Sequence, residues 1–232
     1  HRPRRHGVPA QPAGAGRVSV YAPPQGKLSY IHTDPDLIVI DKPAELLSVP
    51  GRGPDKADCA VARVQADHPE ALTVHRLDMS TSGLLVFARS KEAQRRLAIQ
   101  FEKGVIAKSY IADVWGTPVP GSGTIDLPLG QDWPNRPRQK VDPDAGKPSQ
   151  TQYETIGTQD HGARLALTPL TGRTHQLRLH LAAIGHPILG DDIYAHADAL
   201  EAASRLHLHA TVLELIHPTS NERLRFESVC PF

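Results

Sequence analysis

The sequence predicts an α+β fold in which a mixed, largely antiparallel sheet is flanked by peripheral helices. Strand-like apolar runs outnumber helical segments in the 232 residues, and mostly short connections join them. Strands and helices do not alternate strictly and no internal repeat occurs, which argues against a parallel βαβ architecture. A chain of this length with 39% hydrophobic residues can bury a substantial core.

The first predicted strand covers residues 37–40, an apolar run that is stopped by Pro43. Residues 58–68 predict a helix, because apolar side chains recur on one side of it and Pro69 follows its end. The two elements therefore form the start of the folded domain.

Residues 86–89 predict the next strand, which leads directly into a helix. Ser90 is a suitable N-cap, and Gly104 supplies the C-terminal stop after Lys103. Apolar side chains recur every four residues in this helix, so we expect one face to pack against the sheet.

The second half of the chain predicts strands over residues 106–115, 163–170 and 206–215 and a helix over residues 174–184. Residues 116–149 carry many prolines and glycines. This segment is interpreted as an insertion or loop that forms a substrate-contacting arm.

Charge, cysteine content and motifs exclude several classes of protein. The formal net charge of +1 means that any affinity for a polyanion must come from local basic clusters. Cys59 and Cys230 lie far apart, outside any metal-binding or disulfide spacing, which fits a reducing, cytoplasmic compartment. The sequence contains no HExxH motif, phosphate-binding loop, dinucleotide fingerprint or apolar stretch of membrane-spanning length, so we expect no metal, cofactor or membrane partner.

The most informative segment is His75-Arg76-Leu77-Asp78, which precedes a Ser/Thr/Gly turn and an apolar run. In extended chain Arg76 and Asp78 lie on the same face, and a turn between strands can present reactive groups. Taken alone, however, such a pair is usually a solvated ion pair of little energetic consequence.

Residues 75–90 resemble the signature of the RluA-type pseudouridine synthases, which convert uridine to pseudouridine in folded RNA. Three further segments match the family in order, and the resemblance extends from about Tyr30 to the C-terminus. These segments are residues 108–112 (KSYIA), 170–178 (LTGRTHQLR) and 185–191 (GHPILGD). The resemblance implies the pseudouridine synthase fold, with its sheet and helices arranged around a catalytic cleft.

The resemblance implies that Asp78 is the catalytic carboxylate, which acts as nucleophile or base only when ionised. It also implies that Arg173 pairs with Asp78 and keeps it charged and oriented. The alternative for Arg173 is a phosphate contact at a helix N-terminus.

Tyr110 matches the family tyrosine that stacks on the target uracil, although a core tyrosine is the alternative. Because the target base must leave its stack, Arg76 is expected to fill the gap in the RNA; a surface ion pair is the alternative. Leu208 could add an apolar wall beside the base, although core packing explains a strand leucine equally well.

The remaining predicted RNA contacts are cationic or imidazole side chains near these motifs and in the loop over residues 133–140. That loop alternates cations with a tryptophan and prolines, which suits phosphate contacts and base stacking. A solvated charged face is the alternative for each residue. The residues are His75, Arg89, Arg136, Arg138, Lys140 and Arg178.

Two segments, residues 46–52 and 132–137, resemble family members that modify both the anticodon stem-loop of tRNA and a hairpin of large-subunit ribosomal RNA. The resemblance implies these RNA partners, and we expect a monomer. Residues 1–27 lack acidic residues and predict a disordered basic tail that touches RNA or serves as a linker, and residues 28–232 form the catalytic domain.

Two other functions compete with this interpretation. A non-catalytic RNA-binding or RNA-folding factor on the same scaffold would keep the basic surface but would not need Asp78, Tyr110 and Arg173 together. A glycoside hydrolase would usually require a second partner acid. No acidic motif of the sequence offers one.

Overall fold

The computed structural model describes residues 20–232, and a sheet of ten strands forms its centre. In chain order the elements are β1 (Ser29–Thr33), β2 (Leu37–Lys42), α1 (Ala60–Asp67), β3 (Leu72–Thr73), β4 (Ser82–Ala88), α2 (Lys91–Glu102), β5 (Ala107–Trp115), β6 (Ser122–Asp126), β7 (Leu129–Gln131), β8 (Gln139–Val141), β9 (Gln150–Gln159), β10 (Gly162–Pro169), α3 (Gln176–Ala183), α4 (Ala197–Glu201), β11 (Leu208–Ile216) and β12 (Arg223–Glu227).

The strand order β1-β2-β4-β11-β5-β10-β9-β6 runs across the large sheet, while β3 adds to β4 and β12 adds to β11. In the described part of the chain, β4 and β11 are parallel and the other paired strands are antiparallel. The predicted class, a mixed and largely antiparallel α+β sheet, is therefore confirmed. Strands β7 and β8 form a separate two-stranded hairpin.

The centre of the sheet consists of strands that are buried on both faces. All seven residues of β4 are buried, as are Leu37–Ile40 in β2. Beside β4, the chain approaches β11 so closely that a Cβ at Gly83 would lie 2.2 Å from the carbonyl oxygen of Ala210. The backbone φ of Gly83 is also +113°, so glycine is required at the point where the turn after Asp78 enters the sheet.

Two helices cover this sheet in different ways. The Ser90 hydroxyl caps α2 by accepting a hydrogen bond from the Ala93 amide at 3.1 Å, as the sequence predicts, and Ala93 and Leu97 pack on the sheet. In α3, by contrast, all residues from Gln176 to Leu181 are buried. This buried part of α3 must satisfy its polar side chains internally, which decides the geometry of the site.

The prediction of a loop over residues 116–149 is wrong, because β6, β7 and β8 lie there. These strands are short, and their pairing with β9 or with each other stabilises them rather than an apolar run of their own. Strands β1, β9 and β12 were likewise not predicted. Their residues are mostly polar or half exposed, so the apolar pattern of a buried strand is missing.

Residues 1–19 of the predicted tail lie outside the described residues. Tyr21, which the prediction also assigned to the tail, contacts the domain: its hydroxyl donates to the Asp58 carbonyl at 2.8 Å and accepts from the Leu47 amide at 3.1 Å. The described chain thus contacts the domain from Tyr21 onward rather than from residue 28. None of the described helices is both long and apolar enough to cross a membrane.

Candidate active site

Asp78 lies in the turn before β4, and hydrogen bonds hold the backbone on both sides of it. The Thr81 amide donates to the Asp78 carbonyl at 3.1 Å and closes the turn. The Ser48 hydroxyl donates to the Leu77 carbonyl at 2.7 Å and accepts from the Leu77 amide at 3.0 Å. The carboxylate, with 28% of its side chain exposed, therefore projects from a fixed backbone and remains accessible.

Lys42, at the end of β2, holds the other side of the turn. Its side chain is fully buried, and Nζ donates to the carbonyl oxygens of Pro43 at 2.9 Å, Leu46 at 2.7 Å and Met79 at 3.0 Å. Burial lowers the pKa of Lys42 to about 7, while the negative charge of Asp78 opposes that shift. A buried ammonium with three carbonyl acceptors fixes the residue that follows Asp78.

Arg178, on the buried face of α3, faces Asp78 at a distance of 3.9 Å between Nη1 and Oδ2. The guanidinium is only 3% exposed, and its Nε and Nη2 donate to the two carboxylate oxygens of Asp191 at 2.8 and 2.6 Å. Asp192 accepts from Nη2 at 3.0 Å. The bidentate pair with Asp191 orients the guanidinium, so that its remaining nitrogen points at Asp78.

The predicted pairing of Arg173 with Asp78 is wrong in this structure. Arg173 is exposed on the loop before α3, and its Nε donates to the Pro148 carbonyl at 3.3 Å. Arg178, five residues later, occupies the expected place because it lies on the buried face of the helix. The signal in the sequence was an arginine within the apolar segment Leu177–Leu181, since a buried guanidinium needs a carboxylate partner.

Tyr110, on β5, packs where two of the three apolar core clusters meet. Its side chain is half buried, and its hydroxyl has no hydrogen-bond partner within residues 20–232. Burial, and then the charge of Asp78, raises the pKa of Tyr110, so the phenol stays neutral. Tyr110 packs against the same core cluster as Leu77, the residue before Asp78.

Arg76 and His75, adjacent in sequence, have different environments. Arg76 is exposed, and its guanidinium has no hydrogen bond or ion pair with any residue from 20 to 232. The His75 ring stacks on Phe101 with 4.5 Å between centroids, and its Nε2 accepts from the Val86 amide at 3.1 Å. His75 is therefore engaged in packing in this structure, and the predicted RNA contact there stays a prediction.

Three other predicted contacts also have partners inside the protein. Leu208 is 3% exposed within the core cluster beneath α3, as the core-packing alternative expected. Arg89 donates to Glu70 at 2.6 Å and to the Asp34 carbonyl at 2.7 Å. Arg178 is buried, so it does not lie on the outer surface with the other predicted RNA contacts.

The β7–β8 hairpin carries the exposed cations of the predicted loop. Trp133 at its tip is 66% exposed, and the Arg136 guanidinium lies 5.0 Å above the ring. Lys140 pairs with Asp142 at 3.2 Å and stays half exposed. Arg138 instead turns towards the body, where it donates to the Ile193 carbonyl and lies 5.1 Å above Tyr194.

Asp34, Asp36 and His217 form the cluster within residues 20–232 whose composition would suit a metal ion. His217 Nδ1 accepts from the amides of Thr219 and Ser220 at 3.2 and 3.0 Å. A neutral imidazole must then carry its proton on Nε2, which faces Asp34 at 3.3 Å. Backbone amides thus occupy one ring nitrogen of His217, and the other nitrogen faces the carboxylate of Asp34.

Sequence reasoning missed Lys42, Ser48 and Asp191, the residues that hold the site in place. The position of Lys42 could have been recognised from the sequence, because this lysine ends an apolar strand directly before a proline. The two others could not be recognised without coordinates, because their partners lie 29 and 13 residues away.

A buried arginine that orients the carboxylate of a turn, next to a tyrosine, matches the site expected of an enzyme that rearranges uridine. The family model for RNA pseudouridylate synthase matches residues 36–183, so the chain belongs to this family. It is an isomerase that converts uridine in RNA to pseudouridine.

Individual relatives agree with this assignment. The chain is 48% identical over 214 residues to the dual-specificity RNA pseudouridine synthase RluA of Escherichia coli (strain K12), covering 91% of this chain and 98% of the relative. RluA of Yersinia pestis is 50% identical over 203 residues, covering 87% and 98%. Among solved structures, human RNA pseudouridylate synthase domain containing 1 is similar with a TM-score of 0.75 and 28% identity, covering 94% of this chain and 87% of that chain.

Proposed function

We propose that this enzyme isomerises specific uridines in large-subunit ribosomal RNA and in the anticodon stem-loop of tRNA. The dual specificity in the name of the similar RluA proteins supports two RNA substrates. The exposed hairpin with Trp133 and Arg136 supports substrate recognition by the catalytic domain itself. We expect the enzyme to act as a monomer, and a cytoplasmic location stays a prediction.

Asp78 is the proposed catalytic carboxylate, and its accessible position opposite Arg178 carries this proposal. In the reaction the N1–C1′ bond breaks, the uracil turns, and C5 bonds to C1′. The C5 proton leaves and N1 gains a proton, so the reaction is redox-neutral. Attack on C1′, addition to the ring and removal of a sugar proton all require an ionised carboxylate, which the positive charge of Arg178 orients.

Tyr110 is proposed to support the uracil, since its neutral ring packs against the core cluster that contains Leu77, the residue before Asp78. Arg76 is proposed to fill the space that the flipped nucleotide leaves in the RNA, because its guanidinium is exposed and unengaged within the described chain. Arg136 and Lys140 are proposed to contact phosphates, and Trp133 to stack on a base.

The test is pseudouridine mapping by carbodiimide-dependent primer extension on unmodified tRNA and ribosomal RNA transcripts. We expect the parent enzyme to produce stops at discrete uridines in both RNAs and Asp78→Asn to produce none. Asp160→Asn, an exposed carboxylate in the turn before β10, is the matched control and should behave like the parent. Stops from Asp78→Asn that equal those of the parent would refute the catalytic role and favour an RNA-folding factor instead.

A further inference from the structure

Tyr194, in the segment between α3 and α4, lies between the β7–β8 hairpin and the arginine that faces Asp78. The Cζ of Arg138 from the hairpin lies 5.1 Å from the centroid of the Tyr194 ring, and the Cζ of Arg178 lies 5.6 Å from it. One aromatic ring therefore contacts a cation of the hairpin and the cation of the active site.

The Tyr194 hydroxyl makes two further links. It accepts a hydrogen bond from the backbone amide of Gln139, on β8, at 2.8 Å. It also lies 2.9 Å from His175 Nδ1. Because the oxygen already accepts from Gln139, the phenol proton is free to be donated to His175, and a neutral His175 then carries its own proton on Nε2.

His175 is the residue at which α3 begins. Its backbone has φ 54° and ψ 20°, a left-handed conformation that non-glycine residues keep only when their surroundings hold them. The hydrogen bond between the Tyr194 hydroxyl and Nδ1 of His175 provides such a restraint. Since Arg178 lies on the first turn of α3, fixing His175 also fixes the start of the helix that carries Arg178.

Residues 191–194 bind both Arg178 and Arg138, the first through a carboxylate and the second through a backbone carbonyl. Asp191 Oδ1 accepts from Arg178 Nη2 at 2.6 Å and from the amides of Ile193 and Tyr194 at 2.9 and 3.0 Å. The Ile193 carbonyl accepts from Arg138 of the hairpin. A displacement of the hairpin would thus be transmitted to Asp191 and Tyr194, which both contact Arg178.

We propose that Tyr194 is a positioning residue that couples the RNA-binding hairpin to Arg178, so that the seating of the hairpin on RNA sets the geometry of the Asp78–Arg178 pair. This inference rests on the proposed role of the hairpin in RNA binding. In this role Tyr194 controls the turnover rate rather than the affinity for RNA.

The test is Tyr194→Phe, which keeps the ring between the two guanidinium groups but removes both hydroxyl links. We expect the single-turnover rate at saturating RNA to fall about tenfold, because small misplacements of catalytic groups slow chemistry steeply. The dissociation constant for RNA and the melting temperature should stay near those of the parent. Tyr153→Phe is the matched control: its hydroxyl donates to the Pro120 carbonyl at 3.3 Å, away from the site, and its loss should leave the rate unchanged.

A double-mutant cycle with Arg138→Met distinguishes coupling from two independent effects. If Arg138 and Tyr194 act through the same link, the double variant should be about as slow as the slower single variant. Rate losses that multiply would overturn the proposal, as would a Tyr194→Phe variant that turns over at the parent rate or that only weakens RNA binding.

The RNA used is whichever transcript the parent enzyme modifies. A parent enzyme that modifies neither tRNA nor ribosomal RNA would refute the proposed function. A parent enzyme that modifies its RNA and is matched in rate by Tyr194→Phe would refute the coupling alone.

Discussion

Arg178 and Arg136 represent two regions that use the same side chain in different ways. Arg178 is 3% exposed and bound by two oxygens of Asp191, so its position is fixed before substrate arrives. Arg136 lies on the face of Trp133 at the tip of the hairpin, where its N–H groups remain available to solvent. We therefore expect the cleft to determine turnover and the exposed tip of the hairpin to determine affinity, and variants of these two regions should separate the two quantities.

The largest expected effect is that of Arg178→Lys. Lysine keeps the charge but cannot reproduce the planar pair with Asp191, so we expect the single-turnover rate to fall by about 10²-fold or more. Arg173→Lys is the control and should stay within a few-fold of the parent, because Arg173 is exposed and contacts the Pro148 carbonyl. Circular dichroism verifies the fold of both variants. The reverse ranking would restore the sequence-based pairing of Arg173 with Asp78.

Tyr110 gives the next largest effect in the cleft. Tyr110→Ala removes the proposed support for the base and opens a cavity between two core clusters, so we expect about a 10²-fold loss of turnover and a stability loss of about 3–5 kcal/mol. Tyr110→Phe should retain most activity, since the hydroxyl has no partner within residues 20–232. Tyr110→Leu restores much of the volume; if it turned over like the phenylalanine variant, aromatic stacking would be excluded.

The cleft and the hairpin also differ in how well the sequence predicted them. Asp78 and Tyr110 were located because each lies in a short motif directly beside an apolar strand, and the strands over residues 37–40 and 106–115 were predicted close to their observed positions. A local sequence pattern is sufficient for prediction where a buried strand determines both the fold and the position of the site residue. The choice between Arg173 and Arg178 depended on whether the loop before α3 or the buried part of α3 itself faces the turn, and that is a tertiary property.

The sequence predicts a substrate-contacting arm over residues 116–149 but not the pair of strands that lies within it, and contact with the substrate stays a proposal. Strands β7 and β8 have three residues each, and prolines and glycines surround them. Such strands form because Leu129 is buried and because the backbones of β7 and β8 pair with each other across the hairpin. Neither contact produces a periodic pattern in the sequence.

Variants at the exposed tip of the hairpin, unlike variants of Arg138, should change affinity and leave the chemical step intact. We expect Trp133→Ala to weaken RNA binding about tenfold, since base–aromatic stacking contributes about 1–3 kcal/mol. Arg136→Ala should weaken binding and reduce the slope of log K against log salt by about one, as expected for a lost phosphate contact. Fluorescence anisotropy over a salt series measures both. A lower rate at saturating RNA with unchanged affinity would assign these residues to the cleft instead.

The smallest expected effect on activity concerns His75, which lies beside the cleft but acts through packing. Burial, and then repulsion by Lys108, lowers the pKa of His75 from its ordinary value of 6.5 to about 3 in the folded chain. Between these values the unfolded chain binds a proton that the folded chain lacks, so stability rises with pH. As the pH falls below 6.5, this group should therefore remove about 1.4 kcal/mol of stability per pH unit.

His75→Gln keeps a side-chain acceptor for the Val86 amide but does not titrate, so it isolates this contribution. Urea unfolding at pH 7.5, 6.5, 5.5 and 4.5, about one pH unit apart, should show the free energies of unfolding of parent and variant changing relative to each other only below the ordinary pKa. Parallel curves would mean that the imidazole is protonated equally in both states. The RNA affinity of His75→Gln at neutral pH should equal that of the parent, because the ring stacks on Phe101 rather than on a base.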